Sequence, residues 1–515
     1  MHAESNPILN FIKKISQAFP GKTFLESIDQ RTSITYRQLA ALTAQIAGFL
    51  NEKKVRPNER VVLLANNSLE HLVTFLGVMA YGATICTVNT ETTRGHLPEI
   101  LSAAGPRLVL YERGLEVEDV ARTSGAESIP LGQWRPDGAT GFFSMLESQP
   151  RGREFAPVNG PRDDALIVYT SGTTSRPKGV VVDFSALCVN VEAIAETLDL
   201  NPDDRIVEFR SFNWISAQEL SGLAPLFRGA TLIMARKFSE SRYFEWLQVH
   251  RATIGVCNPT CIAMLINRPA PMGRAGLPHL RFVTSSSAAL PVEHWNRFEE
   301  IYGLPVAQGY GSSEALWIAC SNERTRRVGS AGKPFPSQQL AIIDAEGAPL
   351  PPGEVGEVEV GGDPQTRYRY LRYDGTIETS TIGRIRPGDT GFIDRDGYLF
   401  LTGRTRELII RGGVNISPVE IDNVLLQTPG VAEAAAVGVP DAIYGEEVVA
   451  YVVCKNGCDL DSAAILDACR SRLPAFRQPK EIIIMPGLPK NDRGKLDRKA
   501  LAEDWKRRHP ARQDR

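Results

Sequence analysis

Histidine is scarce in this chain, with seven among 515 residues. No HExxH pattern occurs, and no histidine stands at zinc spacing from the cysteine pairs Cys257/Cys261 and Cys454/Cys458. The eight cysteines are otherwise scattered. Reduced, buried thiols in a cytosolic protein are therefore the expectation. No apolar run is long enough to cross a bilayer. Leu72–Val88 comes nearest and falls short of the ~20 residues required; its internal Gly77 and Gly82 fit a buried helix followed by a strand. The N-terminus lacks the apolar core of a secretory signal. Charge of one sign is lacking too: 58 Lys+Arg against 60 Asp+Glu gives a net −2. No field is built to attract nucleic acid or an anionic membrane. The basic stretch from Lys506 is short and reads as a frayed, solvated terminus. Internal repeats and low-complexity segments are missing as well.

What remains is the composition of a soluble globular enzyme, with 43% hydrophobic and 23% charged residues. The length implies two or three domains. In the first part, strand-like and helix-like segments alternate. "ERVVLLAN" (59–66) is a short buried strand. Before it, Thr35 and Gln38 form a capping-box pattern, and Leu39, Leu42, Ile46 and Phe49 follow at helical spacing. "LEHLVTFLGVMAYGA", "TLIMA", "SRYFEWLQVHR", "IGVCNP" and "LRFVTSSS" continue the alternation. That order implies parallel sheets with helices on their faces. From about Ile342 short strands dominate. After Pro418 the order is helix, strand, strand, helix, strand, enough for a small α+β domain. The boundary is placed at 403/404, giving domains 1–403 and 404–515.

One loop stands out. "IVYTSGTTSRPKGVVV" (167–182) puts three threonines, two serines and two glycines directly after an apolar strand. In open α/β sheets, ligands bind at the carboxyl ends of strands. The hydroxyls of Thr170, Ser171, Thr173 and Thr174, and the exposed N–H groups around Gly172, suit phosphate oxygens. Lys178 adds a positive charge. The pattern is not a Walker P-loop, because Pro177 precedes the lysine and Gly179 follows it.

The stretch "YTSGTTSRPKGV" closely resembles the signature of the adenylate-forming superfamily: acyl- and aryl-CoA synthetases, carrier-loading adenylation domains and beetle luciferases. Ser175 stands where that family usually has glycine. Three further stretches match in the family's order: "QGYGSSEA" (308–315), "RPGDTGFIDRDGYLFLTGRTRELIIRGGVNISPVEID" (386–422) and "LPKNDRGKLDRKAL" (488–501). The resemblance covers nearly the whole chain. It implies a large N-terminal domain of parallel-sheet αβ subdomains with a small β-barrel-like part, and a small, mobile α+β C-terminal domain. It also implies a two-step reaction, in which a carboxylate and ATP give acyl-AMP and pyrophosphate, and a thiol then gives the thioester and AMP.

Roles follow from the same resemblance. Glu314 would hold Mg²⁺, a sensible task for a carboxylate beside phosphates. Tyr310 would lie against adenine, with Gly309 and Gly311 giving clearance. Ser286, Ser287 and Ala288 would line the other wall, and Ser312 and Ser313 would donate to the α-phosphate. Asp389 would accept from the ribose hydroxyls, with Arg404 also reaching the ribose. Lys495 would bridge the carboxylate and the α-phosphate. Arg406 would be the hinge that exchanges Lys495 for the segment around Gly412 and Gly413, so that one site runs two chemistries. Arg477 and Lys480 are candidates for the CoA nucleotide. In the acid pocket, Trp214 occupies the family's gate position and Trp317 adds a second bulky wall, which suggests a small or aromatic acid. Asn213 stands where amino-acid-activating relatives carry an aspartate, and a neutral amide cannot pair with a substrate ammonium. Arg210 could meet a second carboxylate, but its direction is unreadable from the strand end.

The leading expectation is a cytoplasmic acid–CoA ligase using ATP, CoA and Mg²⁺, without nucleic-acid partners or a membrane span; a homodimer is compatible. A stand-alone enzyme loading a carrier protein and a non-catalytic nucleotide-binding relative are the alternatives.

Overall fold

The computed structural model describes residues 6–90, 96–115, 119–120, 125–134, 141–150, 159–169, 178–361, 368–380, 383–455, 457–458, 460–490 and 495–509. Local chemistry sets the first elements. Thr35 and Gln38 complete the expected capping box, and the helix Tyr36–Glu52 buries Leu39, Leu42, Ile46 and Phe49. The helix Leu69–Tyr81 is buried on every face and stops at Gly82, whose φ of 94° supplies the left-handed cap. Gly77 lies under Ile46 of the preceding helix, where a side chain would collide. The expected buried helix and following strand, Thr84–Thr87, are both present.

Two large sheets form the body. In the first, the strands run Ile377–Thr379, Arg369–Leu371, Gly179–Asp183, Asp164–Tyr169, Thr84–Thr87, Arg60–Leu64, Leu108–Tyr111 and Glu127–Pro130. Its last five strands are parallel. The other end is antiparallel: Asp164–Tyr169 and Gly179–Asp183 form a hairpin around the phosphate-type loop. That reversal was not legible as part of a parallel alternation. In the second sheet the order is Val306–Gln308, Phe282–Ser285, Ile254–Cys257, Arg205–Glu208, Thr231–Met234, Thr23–Ser27 and Thr32–Thr35. Only the final pair is antiparallel.

The barrel-like part follows, with Gln339–Ile343, Gly356–Gly361, Asp389–Ile393 and Leu399–Arg404 in one antiparallel sheet. Beyond it, Val431–Asp441 and Gly445–Cys454 form a long antiparallel pair, joined in parallel by Glu481–Ile484. The helices Pro418–Leu426, Ser462–Arg470 and Arg498–Arg508 cover this small sheet. The last helix corrects the reading of Lys506–Arg508 as frayed. Asp497 caps it, Arg508 pairs with Asp504 at 2.6 Å, and His509 stacks on Trp505. All eight cysteines are free, but Cys458 is exposed and Cys188 and Cys454 are partly so, which corrects the expectation that all are buried. Among the described residues, no helix is long and apolar enough to cross a membrane.

The small domain is tied together by one buried ion pair. Arg498 Nη2 lies 2.5 Å from Asp422 Oδ2 and its Nη1 donates to the Ala436 carbonyl at 2.8 Å. Asp422 Oδ1 accepts from the Ala436 amide at 2.6 Å. Two helices and a strand meet in this knot. Removing one member leaves the other charge buried. Arg498→Met should therefore lower stability by about 3–5 kcal/mol. Adding Asp422→Leu should recover part of that loss, as read by urea unfolding.

Candidate active site

The carboxyl ends of the parallel strands in both sheets converge, and buried polar side chains fasten them. Asn67, just past Arg60–Leu64, donates to the carbonyls of Arg210 (2.8 Å) and Ala235 (3.2 Å) and accepts from the Phe212 amide at 2.8 Å. Glu208 ends its strand fully buried and pairs with Arg210 at 2.7 Å. Its carboxylate also accepts from the amides of Phe209 and Arg210 and from Ser221 Oγ. Arg210 Nη1 then donates to Ser286 Oγ at 2.7 Å. So Arg210 is not turned toward a substrate carboxylate; Glu208 holds it. It positions Ser286 instead. Sequence reasoning missed Asn67 and Ser221, whose partners lie on other segments, and Glu208, whose pairing with Arg210 depends on the turn at the strand end. The Glu-x-Arg spacing at 208–210 was the one available signal.

Three of the nucleotide candidates, Tyr310, Asp389 and Arg404, meet. The Tyr310 hydroxyl donates to Asp389 Oδ2 at 2.6 Å, and Arg404 Nε lies 3.1 Å from Asp389 Oδ1. Asp389 and Arg404 face each other across neighbouring strands, so the sheet register sets this pair. Burial, reinforced by the Asp389 charge, pushes the Tyr310 hydroxyl far above its usual range, so it stays a donor. Ser286 is buried, Ser287 is half-buried with φ 78°, and Ala288 is exposed. Ser312, Ser313 and Glu314 are half-buried in the turn between Tyr310–Ser312 and Leu316–Cys320. Leu316, just after it, takes φ 62°. Such left-handed values for non-glycine residues store strain and are held by their surroundings.

The two glycines here have intramolecular reasons. A Cβ on Gly309 would overlap the indole of Trp317, and one on Gly311 would meet the Leu316 carbonyl. The edge of the Trp317 indole therefore fills the space where a side chain at 309 would lie. Asn190 fixes that strand by donating to the Trp317 carbonyl at 2.7 Å and accepting from its amide at 3.2 Å. Trp214 caps the short helix Ile215–Ala217, which packs against the strand carrying Trp317. Asn213 is buried beside Trp214, and its Nδ2 donates to the Ala65 carbonyl at 2.9 Å.

Residues Thr170, Ser171, Gly172, Thr173 and Thr174 lie outside the described residues. Lys178 leads into the strand Gly179–Asp183 and its charge reaches Glu378, whose carboxyl is held low mainly by Arg372. Lys495 is half-buried next to an isolated bridge between Lys490 and Leu496. Arg406 sits exposed in the single turn Thr405–Glu407. Gly412 and Gly413, with φ of 57° and 80°, form the two-residue turn between Ile409–Arg411 and Val414–Ile416. Arg477 pairs with Glu420 at 2.5 Å, and Lys480 with Asp441 at 3.2 Å.

Residues 12–370 match the model of the AMP-binding enzymes, and residues 420–495 match that of the AMP-binding enzyme C-terminal domain. The chain belongs to the AMP-binding enzyme family. It is 34% identical to the sulfoacetate–CoA ligase of Cupriavidus necator over 492 residues, covering 94% of this chain and 95% of that protein. It is 31% identical to the oxalate–CoA ligase of Arabidopsis thaliana over 522 residues, with 98% and 99% covered. Among solved structures, ATP-bound MatB from Rhodopseudomonas palustris superposes with a TM-score of 0.86 at 27% identity, covering 97% of this chain and 99% of that one. The enzyme is an acid–thiol ligase of the adenylate-forming superfamily, and the fold that the four motifs implied is the fold observed.

The contact of Trp317 with Gly309 is directly testable. Gly309→Ala should displace the indole and reduce turnover by at least about tenfold while the fold persists. That outcome is expected where a misplacement of about 1 Å disturbs reacting geometry. Steady-state kinetics with a circular dichroism control would check it.

Proposed function

We propose that the protein is an ATP-dependent, AMP-forming acid–CoA ligase acting on a small or aromatic carboxylic acid in the cytoplasm. The observation that carries this reading is the bonded cluster of Tyr310, Asp389 and Arg404, with Trp214 and Trp317 as the proposed walls on the acid side. A nucleotide and an acid would meet between them.

In the first step a carboxylate oxygen attacks the α-phosphorus of ATP. The bond from that phosphorus to pyrophosphate breaks, leaving acyl-AMP. Asp389 accepts hydrogen bonds from the ribose, Arg404 steadies the same carboxylate, and Tyr310 presents its ring to adenine. Glu314 and the hydroxyls of Ser312 and Ser313 stand at one turn, where the phosphates would lie. Glu314 is a half-buried carboxylate with no hydrogen bond among the described residues, which fits a metal ligand. Mg²⁺ bound there would supply positive charge beside the phosphates. Lys178, Lys495 and the loop Thr170–Thr174 complete the positive surround. Positioning and charge account for most catalysis of this kind.

In the second step the thiol of CoA attacks the acyl carbon and AMP leaves. We assign the division at 403/404 to the moving parts, with Arg406 as the hinge. Rotation would withdraw Lys495 and bring in the Gly412–Gly413 turn. Ile410, Val414, Ile443 and Tyr444 surround that turn and are exposed, Ile443 at 84%. An apolar tip of this kind suits burial in a second arrangement. Arg477 and Lys480 are the candidates for the CoA nucleotide; each would exchange its carboxylate partner for phosphate.

Lys495→Ala should abolish acyl-AMP formation, while thioester formation from supplied acyl-AMP largely survives. Equal loss of both half-reactions would contradict the two-arrangement assignment. Trp214→Ala should alter the order of preferred acids more than the KM for ATP. An unchanged acid profile would remove Trp214 from the pocket.

A further inference from the structure

The helix that follows Trp214 changes register part-way. Residues Ile215–Ala217 are α-helical, Gln218–Leu223 form a π-helical segment, and Ala224–Arg228 return to α. A widened π turn is rare and is frequently found at functional sites. Its surroundings are apolar: Ile215, Ala217, Leu220 and Leu223 all join the main core. Yet the segment carries Glu219, which is fully buried, and neither of its carboxyl oxygens has a hydrogen-bond partner among the described residues.

Other unsatisfied atoms lie nearby in the fold. Gln218 donates to Thr87 Oγ1 and the Phe212 carbonyl, but its Oε1 has no partner among the described residues. Asn213 Oδ1 and Trp317 Nε1 are in the same position. Ile215–Ala217 packs on the strand that holds Trp317. Gln218–Leu223 packs on the helix Phe184–Thr197, whose Asn190 anchors that strand. Gln218 and Glu219 thus sit on the segment that follows Trp214, and that segment packs against the elements that carry and anchor Trp317.

Stability does not explain them. A buried polar group left unpaired costs about 1–3 kcal/mol, and an apolar side chain of the same shape would cost nothing. Burial holds the Glu219 carboxyl well above its usual range, with desolvation as the cause. Burial thus favours the protonated form, which offers one O–H donor and one carbonyl acceptor. On and beside this segment the acceptors unmet among the described residues are Gln218 Oε1, Asn213 Oδ1 and the Glu219 carbonyl. The unmet donors are Trp317 Nε1–H and the Glu219 O–H.

We propose that Glu219, with Gln218 beside it, is the specificity-determining element of the acid site and recognises a hydrogen-bond donor, a hydroxyl or amino group, carried on the acid away from its reacting carboxylate. This rests on the acid–thiol ligase reading above. A second anionic group would meet mostly acceptors here, so the enzyme should disfavour the acids of the oxalate and sulfoacetate type that its relatives are named for. A plain ring or alkyl chain would leave these groups unsatisfied, and sites built to bond a substrate hydroxyl reject the analogue that lacks it.

The test measures kcat/KM by pyrophosphate release for matched acids: benzoate against its 3- and 4-hydroxy and 3- and 4-amino derivatives, and propanoate against 3-hydroxypropanoate and 3-aminopropanoate. Oxalate and sulfoacetate are included. At least one donor-bearing acid should exceed its parent by about tenfold or more. Glu219→Leu should bring that ratio near one while turnover of the parent acid persists; Glu219→Gln, which keeps a donor and an acceptor, should retain part of it. A wild-type enzyme that treats parents and donor-bearing acids alike overturns the proposal, and this comparison does not depend on any variant folding. An unchanged ratio in folded Glu219→Leu overturns it equally. Preference for the dianionic acids does so as well. Release from no acid at all would instead remove the ligase reading beneath it.

Discussion

Everything in the site depends on how two sheets are joined at their carboxyl ends. The joint is a small set of buried polar bonds centred on Asn67 and the Glu208–Arg210 pair. Asn67 reaches from one sheet to the loop ending a strand of the other. Glu208 gathers two backbone amides, a serine hydroxyl and the guanidinium of Arg210. A buried ion pair alone gives little net stability, because desolvation offsets the attraction. With every lone pair used, it gives direction instead. Ser286, the adenine-side candidate, and the chain leading to Trp214 are both aimed by it.

The same logic runs outward through the cleft. Sheet register sets Asp389 opposite Arg404, and the Tyr310 hydroxyl completes that pair. Gly309 leaves room for the edge of the Trp317 indole, and Asn190 holds the strand through its backbone amide and carbonyl. The small domain differs: its Gly412–Gly413 turn is exposed, with apolar side chains around it. A half fastened by buried hydrogen bonds, beside a half with an uncovered apolar tip, is compatible with the two successive geometries proposed above.

Much of this was legible in the sequence. Helical spacing from Thr35 to Phe49, the buried helix at Leu69–Tyr81 and the strands of the small domain all followed from period and capping. The four motifs named the family and most of the candidate residues. What stayed hidden depended on unread turns or on distant partners. Arg210 could not be read as Glu208's partner, because both sit at a strand end whose turn was unknown. The hairpin at Asp164–Asp183 interrupts a parallel alternation, and no local signal announces the reversal. "SAQELSG" has the polar pattern of a surface helix, yet it is buried, so Glu219 looked ordinary. The final helix was obscured by its basic residues, which are solvated on one side while Leu501 and Trp505 are buried on the other.

The central claim is that one cleft activates a carboxylic acid with ATP and passes it to a free thiol. The most direct measurement is pyrophosphate release with Mg-ATP across a panel of carboxylic acids, each run with and without CoA. The account predicts an acid whose turnover becomes rapid and saturable only when CoA is added, with acyl-CoA and AMP as products. Release that free CoA does not stimulate would contradict CoA as the acceptor, and the absence of release from every acid would contradict the assignment of catalysis to this cleft.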